Sequence, residues 1–399
     1  MPEKNSAQTV PEDQFIENRC RVVQAALDSL SANIAILDER GIIRYTNRSW
    51  KEHARENGLD PDKCSEGINY LKVTLNAKGE PTELTEKIKS VMRRESDYYE
   101  KEYPCHGPDK KSWYRMKVTP YDDEGPYAVV IAHEDITEKK KGELKIEESL
   151  QKTKMLHDQF LPAGPPDIPG LDFAFHYQPA NRLGGDFYNY VRLENKLIFY
   201  VSDVSGHDLS SSILNIFLRE AINSYLLSAS YSDEIKPADI VSYVSGRFSE
   251  EEFPADYFIS LVMGVMDLET NEINLVNAGF HFPPKLILES SRPASLKCSG
   301  HPISYLTTSS EQKPEECRFI LSENSTLLIY TDGLIEQRKA ESSQEMYGEM
   351  RLLELITSLD YRRPETLINK TCENLKQFRG ETPVGDDITM MAIKNKSLK

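Results

Sequence analysis

Leu197-Ile198-Phe199-Tyr200-Val201-Ser202 is an apolar run that stops at Asp203-Val204-Ser205-Gly206-His207. The run reads as a strand. Asp and Glu are depleted inside sheets, so the carboxylate marks the strand's end. The pattern recurs outward from this stretch. Thr326-Leu327-Leu328-Ile329-Tyr330 runs into Thr331-Asp332-Gly333, and Gly385-Asp386-Asp387 precedes Ile388-Thr389-Met390-Met391-Ala392-Ile393. Upstream stands Gly184-Gly185-Asp186. Carboxylates gathered at several strand ends face a cation, and hard oxygen ligands suit Mg²⁺ or Mn²⁺ rather than zinc. Taken singly, each motif has a plainer reading. Asp332-Gly333 and Gly385-Asp386-Asp387 are ordinary turn sequences, and Asp203-Val204-Ser205-Gly206 is placed to cap a helix starting near Ser210. The case for a site is that all four co-occur beside strands.

Phe173 to Tyr177, Tyr257 to Val265 and Glu272 to Asn277 also read as strands. Ser210 to Ser228 and Ile235 to Phe248 read as helices, with Pro237 near a helix start. Two long helices between strands predict an α+β fold of layered antiparallel sheets with helices outside.

The four motifs, in this order, resemble the PPM family of metal-dependent Ser/Thr protein phosphatases in its SpoIIE-type branch, over roughly residues 155 to 395. Asp158-Gln159-Phe160-Leu161-Pro162, Gln178-Pro179-Ala180, Asn277-Ala278-Gly279 and Tyr347-Gly348 followed by Arg351-Leu352 add to the likeness. The resemblance implies an α-β-β-α sandwich holding two Mn²⁺ or Mg²⁺ ions. It assigns Asp203 as the bridging ligand and the Val204 carbonyl to one ion. Asp186 would ligate directly or through water, and Asp332 and Asp386 would complete the second ion's coordination. Asp387 would serve a third, weaker ion or orient waters. The implied substrate is phosphoserine or phosphothreonine on a partner protein, an anti-sigma-factor antagonist by analogy. This chain departs from the family pattern at Asp208, which stands where Gly is common, and at His281, one place later than the usual Gly-His. His207 is a candidate proton donor.

Toward the N-terminus, Ile34-Ala35-Ile36-Leu37, the turn Asp38-Glu39-Arg40-Gly41 and Ile42-Ile43-Arg44-Tyr45 read as a hairpin, with Asn47 as a helix cap. Ser112 to Val118 and Tyr127 to Thr137 read as late strands. The hairpin, middle helices, late strands and Asp135-Ile136-Thr137 exit resemble a PAS domain. That likeness implies a sensory or dimerisation module over residues 22–137, after a flexible stretch at 1–21. Trp50, Tyr70, Trp113 and Tyr114 could line a ligand pocket there, and His53, His106 and His133 are candidate haem ligands; core packing is the plainer role for each. Residues 138–163 predict a linker helix whose Ile146, Leu150, Thr153, His157 and Phe160 follow a coiled-coil spacing. The phosphatase domain then covers 164–397, and a homodimer through the sensor and helix is expected.

The 399 residues carry a net charge of −16, which argues against nucleic-acid or anionic-membrane partners. No apolar run reaches bilayer length and no signal-peptide core is visible, so a cytoplasmic protein is expected. The six cysteines are scattered and read as free thiols. Two other functions compete. A non-catalytic scaffold is disfavoured because every acidic position is filled. A nucleotide cyclase, suggested by Gly184-Gly185-Asp186-Phe187, leaves the other acidic motifs unexplained.

Overall fold

The computed structural model describes residues 12–75, 80–106, 110–121, 127–206, 209–229, 234–288, 292–307, 313–340, 344–359 and 363–396. The chain divides into two compact units, Met1–Glu147 and Glu148–Lys399. The division falls inside one continuous helix, Thr137–Phe160.

The first unit is built on a five-stranded antiparallel sheet. Its spatial order is Ile43–Thr46, Asn33–Asp38, Tyr127–Asp135, Trp113–Pro120, Tyr99–Pro104. Asp38 closes the opening hairpin by accepting from the backbone N–H groups of Arg40 and Ile42, each at 2.9 Å. Asn47 caps helix Arg48–Glu56 by accepting from Trp50 N at 3.1 Å. The same oxygen accepts from Ile34 N, so the cap also ties the helix to the first strand. Ala35, Leu37, Ile88, Met116, Val118 and Ile131 form the core. His133 sits among aromatic side chains, bonded to the Tyr70 and Tyr103 hydroxyls at 3.1 and 2.7 Å. Burial lowers its pKa to about 4, which keeps it neutral.

The second unit stacks four layers. One antiparallel sheet runs Glu316–Ile320, Glu272–Ala278, Phe258–Asp267, Lys196–Val204, Asp186–Leu193. The other runs Ala294–Ser295, Lys285–Ile287, Thr326–Tyr330, Ile388–Asn395, Leu171–Gln178. Strand alternation builds the layers. Leu197, Phe199 and Val201 face Leu327, Ile329 and Met391 between the sheets. Ile198 and Tyr200 point outward against Leu214, Leu218 and Ile222 of helix Leu209–Ala229 and Ile240 and Val244 of helix Pro237–Glu250. Leu328, Tyr330 and Met390 point the other way, against Leu352 of helix Gly348–Ser358 and Leu367 of helix Pro364–Arg379. Both faces of each central strand are covered, which is why those strands read as unbroken apolar runs.

The coiled-coil stripe expected on the linker helix is split. Ile146 is exposed, whereas His157 is buried and Phe160 packs on the second unit's own core. The lower half of the stripe is therefore taken up within that unit. Among the described residues no helix is long and apolar enough to cross a membrane, and all six cysteines are free.

Gly264 lies directly across from Phe199 in the central strand pair, and a Cβ there would collide with the Phe199 ring. Gly264→Ala is expected to destabilise the second unit by about 1–3 kcal/mol, the cost of overpacking a filled core. A thermal melt checks this, and an unchanged midpoint would contradict it.

Candidate active site

The two sheets deliver their acidic residues to the same end of the sandwich. Asp186 and Asp203 are direct cross-strand partners. Asp203 lies within strand Lys196–Val204, opposite Ser260 on its other side, so it is not the cap of the following helix. From the second sheet, Asp332 follows strand Thr326–Tyr330 and opens a short helix, Asp332–Glu336. Asp386 and Asp387 precede the neighbouring strand Ile388–Asn395.

Each carboxylate is held differently. Asp186, 2% exposed, accepts from the Thr331 hydroxyl at 2.7 Å and the Thr389 hydroxyl at 2.6 Å. Those threonines belong to the second sheet, so this one carboxylate stitches the sheets together. Asp387 is turned onto backbone instead. One oxygen accepts from Ala180 N at 2.7 Å; the other accepts from Gly185 N at 2.5 Å and Asp186 N at 3.3 Å. It thereby clamps Gln178-Pro179-Ala180 to Gly184-Gly185-Asp186. The motif glycines are required by close approach. A Cβ on Gly184 would lie 2.6 Å from Asp387 Oδ2, and one on Gly185 would lie 2.6 Å from the Val204 carbonyl oxygen. Asn215, fully buried on helix Leu209–Ala229, donates to the Gly185 carbonyl at 2.9 Å.

Like charges in a poorly solvated site raise one another's pKa. Burial, then the charges of Asp332, Asp386 and Asp387, push Asp203 up to about 8. Asp186 is raised well above the carboxylate range by burial and by Asp203, against the lowering effect of the two threonine hydroxyls. Asp332 is raised by burial, Asp386 and Glu336. A divalent cation would relieve this repulsion, and an all-carboxylate oxygen set suits Mg²⁺ or Mn²⁺. The Val204 carbonyl oxygen lies against Gly185, the residue before Asp186. Among the described residues no three His, Cys, Asp or Glu side chains close on one point as a finished ligand set.

Asp203 and Asp332 line a cleft of about 140 Å³ together with Ser260, Phe280, His281 and Tyr330. His281 is thus at the cleft, whereas His207 and Asp208 lie outside the described residues. The Asn277 side chain shapes the cleft's rim. Its oxygen accepts from Phe280 N at 2.8 Å and its amide donates to Phe280 O at 3.0 Å.

Sequence reasoning missed Thr331, Thr389 and Asn215 as supporting residues. The sequence showed them only as hydroxyls beside acidic motifs and an amide within an otherwise apolar helical stretch, without the distant partners they serve. His157, buried between Tyr177 and Phe187 at centroid distances of 6.2 and 6.0 Å, was read as part of the stripe.

The family model described as Stage II sporulation protein E (SpoIIE) matches residues 194–396. The chain belongs to the SpoIIE family. Its second unit has a PP2C-type fold. Protein IcfG of Synechocystis is 24% identical over 266 residues, covering 61% of this chain and 41% of that protein. An uncharacterized 104.1 kDa protein of Rhodobacter capsulatus is 31% identical over 125 residues, covering 29% and 13%. The chain thus spans less than half the length of these curated relatives. Among solved structures, the SiaA-PP2C domain of Pseudomonas aeruginosa superposes with a TM-score of 0.54 at 17% identity, over 63% of this chain and 98% of that one.

The raised carboxylate pKa values fix a sign for pH dependence. Asp203 binds its proton more tightly folded than unfolded, so the metal-free protein loses stability as pH rises from about 4 through about 8. Cation binding requires the ionised form and should oppose that loss. Thermal melts from pH 5 to 8.5 with chelator, and again with Mn²⁺, are expected to diverge increasingly toward alkaline pH. Parallel curves would contradict the electrostatic description.

Proposed function

We propose that this protein is a metal-dependent phosphatase that hydrolyses phosphoserine or phosphothreonine on a partner protein. The observation that carries the reading is the convergence of Asp186, Asp203, Asp332 and Asp386 from two sheets onto one end of a PP2C-type sandwich, where burial and neighbouring carboxylates raise the pKa values of Asp186, Asp203 and Asp332. Asp186, Asp203, Asp332, Asp386 and the Val204 carbonyl would hold two Mn²⁺ or Mg²⁺ ions. Bound in pairs, such ions supply Lewis acidity that activates water and neutralises phosphoryl charge. The chain's own residues do the positioning. Thr331 and Thr389 fix the Asp186 carboxylate through their hydroxyls. Asp387 fixes the loop that carries Asp186. Asn277 holds Phe280 and His281 at the rim. A water nucleophile leaves no phosphorylated enzyme.

Membership of the SpoIIE family supports an anti-sigma-factor antagonist as the substrate. The five-stranded sheet of the first unit, with its opening hairpin and aromatic cluster at His133, supports a PAS-like regulatory module. Leu144 and Met155 of the connecting helix are exposed. Eleven positions separate them, which places them within about 20° of each other at 3.6 residues per turn. That exposed face supports a homodimer.

Asp203→Asn keeps the side chain's size while removing the charge shared by the site. It is expected to lower Mn²⁺-dependent turnover of p-nitrophenyl phosphate by about a hundredfold or more, several kcal/mol of lost transition-state stabilisation, with an unchanged circular dichroism spectrum. Near-normal turnover at saturating Mn²⁺, or a trapped phosphoenzyme in the wild type, would overturn the reading.

A further inference from the structure

A second concavity, of about 450 Å³, opens beside the catalytic cleft. The two share Gly279, Phe280 and His281, so they form one continuous surface. The cleft alone is too small for a peptide, while the larger groove has the volume of a pocket that holds an extended ligand. The groove is also stiff. Asn277 bonds both backbone groups of Phe280. Gly279, at φ +104°, approaches Pro302 so closely that a Cβ would lie 2.7 Å from its side chain. A Cβ on Gly300 would lie 2.6 Å from the Asn277 carbonyl oxygen. The wall and floor are therefore locked to the strand that ends at Ala278.

The charge of the groove is unlike that of the molecule. The chain's net charge is −16, yet among the described residues no carboxylate lines the groove, and exposed Lys297 is the one Lys, Arg, Asp or Glu there. Phe280, Pro283 and Pro302 supply apolar surface around it. Resting on the phosphatase reading above, we propose that this groove seats the polypeptide flanking the phosphorylated residue, and that Lys297 selects substrates with an acidic side chain close to the phosphoserine or phosphothreonine. With the phosphoryl group beside Asp203 and Asp332, the neighbouring residues cross Phe280 and enter the groove. Lys297 then meets an acidic neighbour, and a basic neighbour is repelled.

The test uses the full chain with saturating Mn²⁺ and three probes. Two are phosphoserine peptides of equal length, one flanked on both sides by Glu and one by Lys. The third is p-nitrophenyl phosphate, which reaches only the cleft. The wild type is expected to favour the Glu-flanked peptide in kcat/KM by about threefold or more, the scale of one exposed charge pair. Lys297→Glu is expected to reverse the preference, mainly through KM, while turnover of p-nitrophenyl phosphate stays within about twofold. No preference in the wild type, a preference for the Lys-flanked peptide, or an unchanged ratio in Lys297→Glu would overturn the proposal. If the wild type hydrolyses none of the three probes, the phosphatase reading falls and takes the groove with it.

Discussion

Repulsion among carboxylates held at one end of an apolar sandwich is the constraint on which the rest of the second unit depends. Two unit charges about 4 Å apart interact by several kcal/mol at the effective dielectric of a protein surface. The fold keeps Asp186 and Asp203 directly opposite one another despite that cost. It offsets part of it with hydroxyls. Thr331 and Thr389 both donate to Asp186, and Thr389 N donates to the Thr331 hydroxyl, so one small network spans both sheets. The remainder stays as raised pKa values at Asp203 and Asp332. Perturbed groups of this kind, collected in a cleft, are how a fold announces a functional site.

The same constraint explains which glycines and amides the motifs carry. A carboxylate can be aimed only if its backbone is fixed, and here neighbouring backbone leaves no room for a Cβ at Gly185 and Gly333, while the Tyr177 and Asp387 side chains leave none at Gly184. Asp387 shows that adjacent acidic residues need not share a role. Asp386 contributes its charge to the site, whereas both oxygens of Asp387 are taken by N–H groups of the Ala180 and Gly185–Asp186 segments.

Much of this was legible from residue order alone. Apolar runs ending in acids located the central strands, because both faces of those strands are covered. Pro237 marked the start of helix Pro237–Glu250, and Asn47 the cap of helix Arg48–Glu56. What stayed hidden was any property set by contacts distant in sequence. Nothing local says that Asp387 bonds to residues some 200 positions away, or that Thr331 and Thr389 serve Asp186. The linker stripe was misleading for the same reason. Apolar spacing records that a face is covered, not by what, and here His157 and Phe160 are covered by their own unit.

The most direct measurement is calorimetric titration of Mn²⁺ into the chelator-stripped protein at pH 7, in buffers of different ionisation enthalpy. The account requires saturable binding of two ions with release of about one proton or more, because Asp203 holds its proton up to about pH 8 without them. Binding of that kind, lost in Asp203→Asn, would uphold the carboxylate end as a metal centre. No saturable binding, or binding without proton release that survives the substitution, would contradict it.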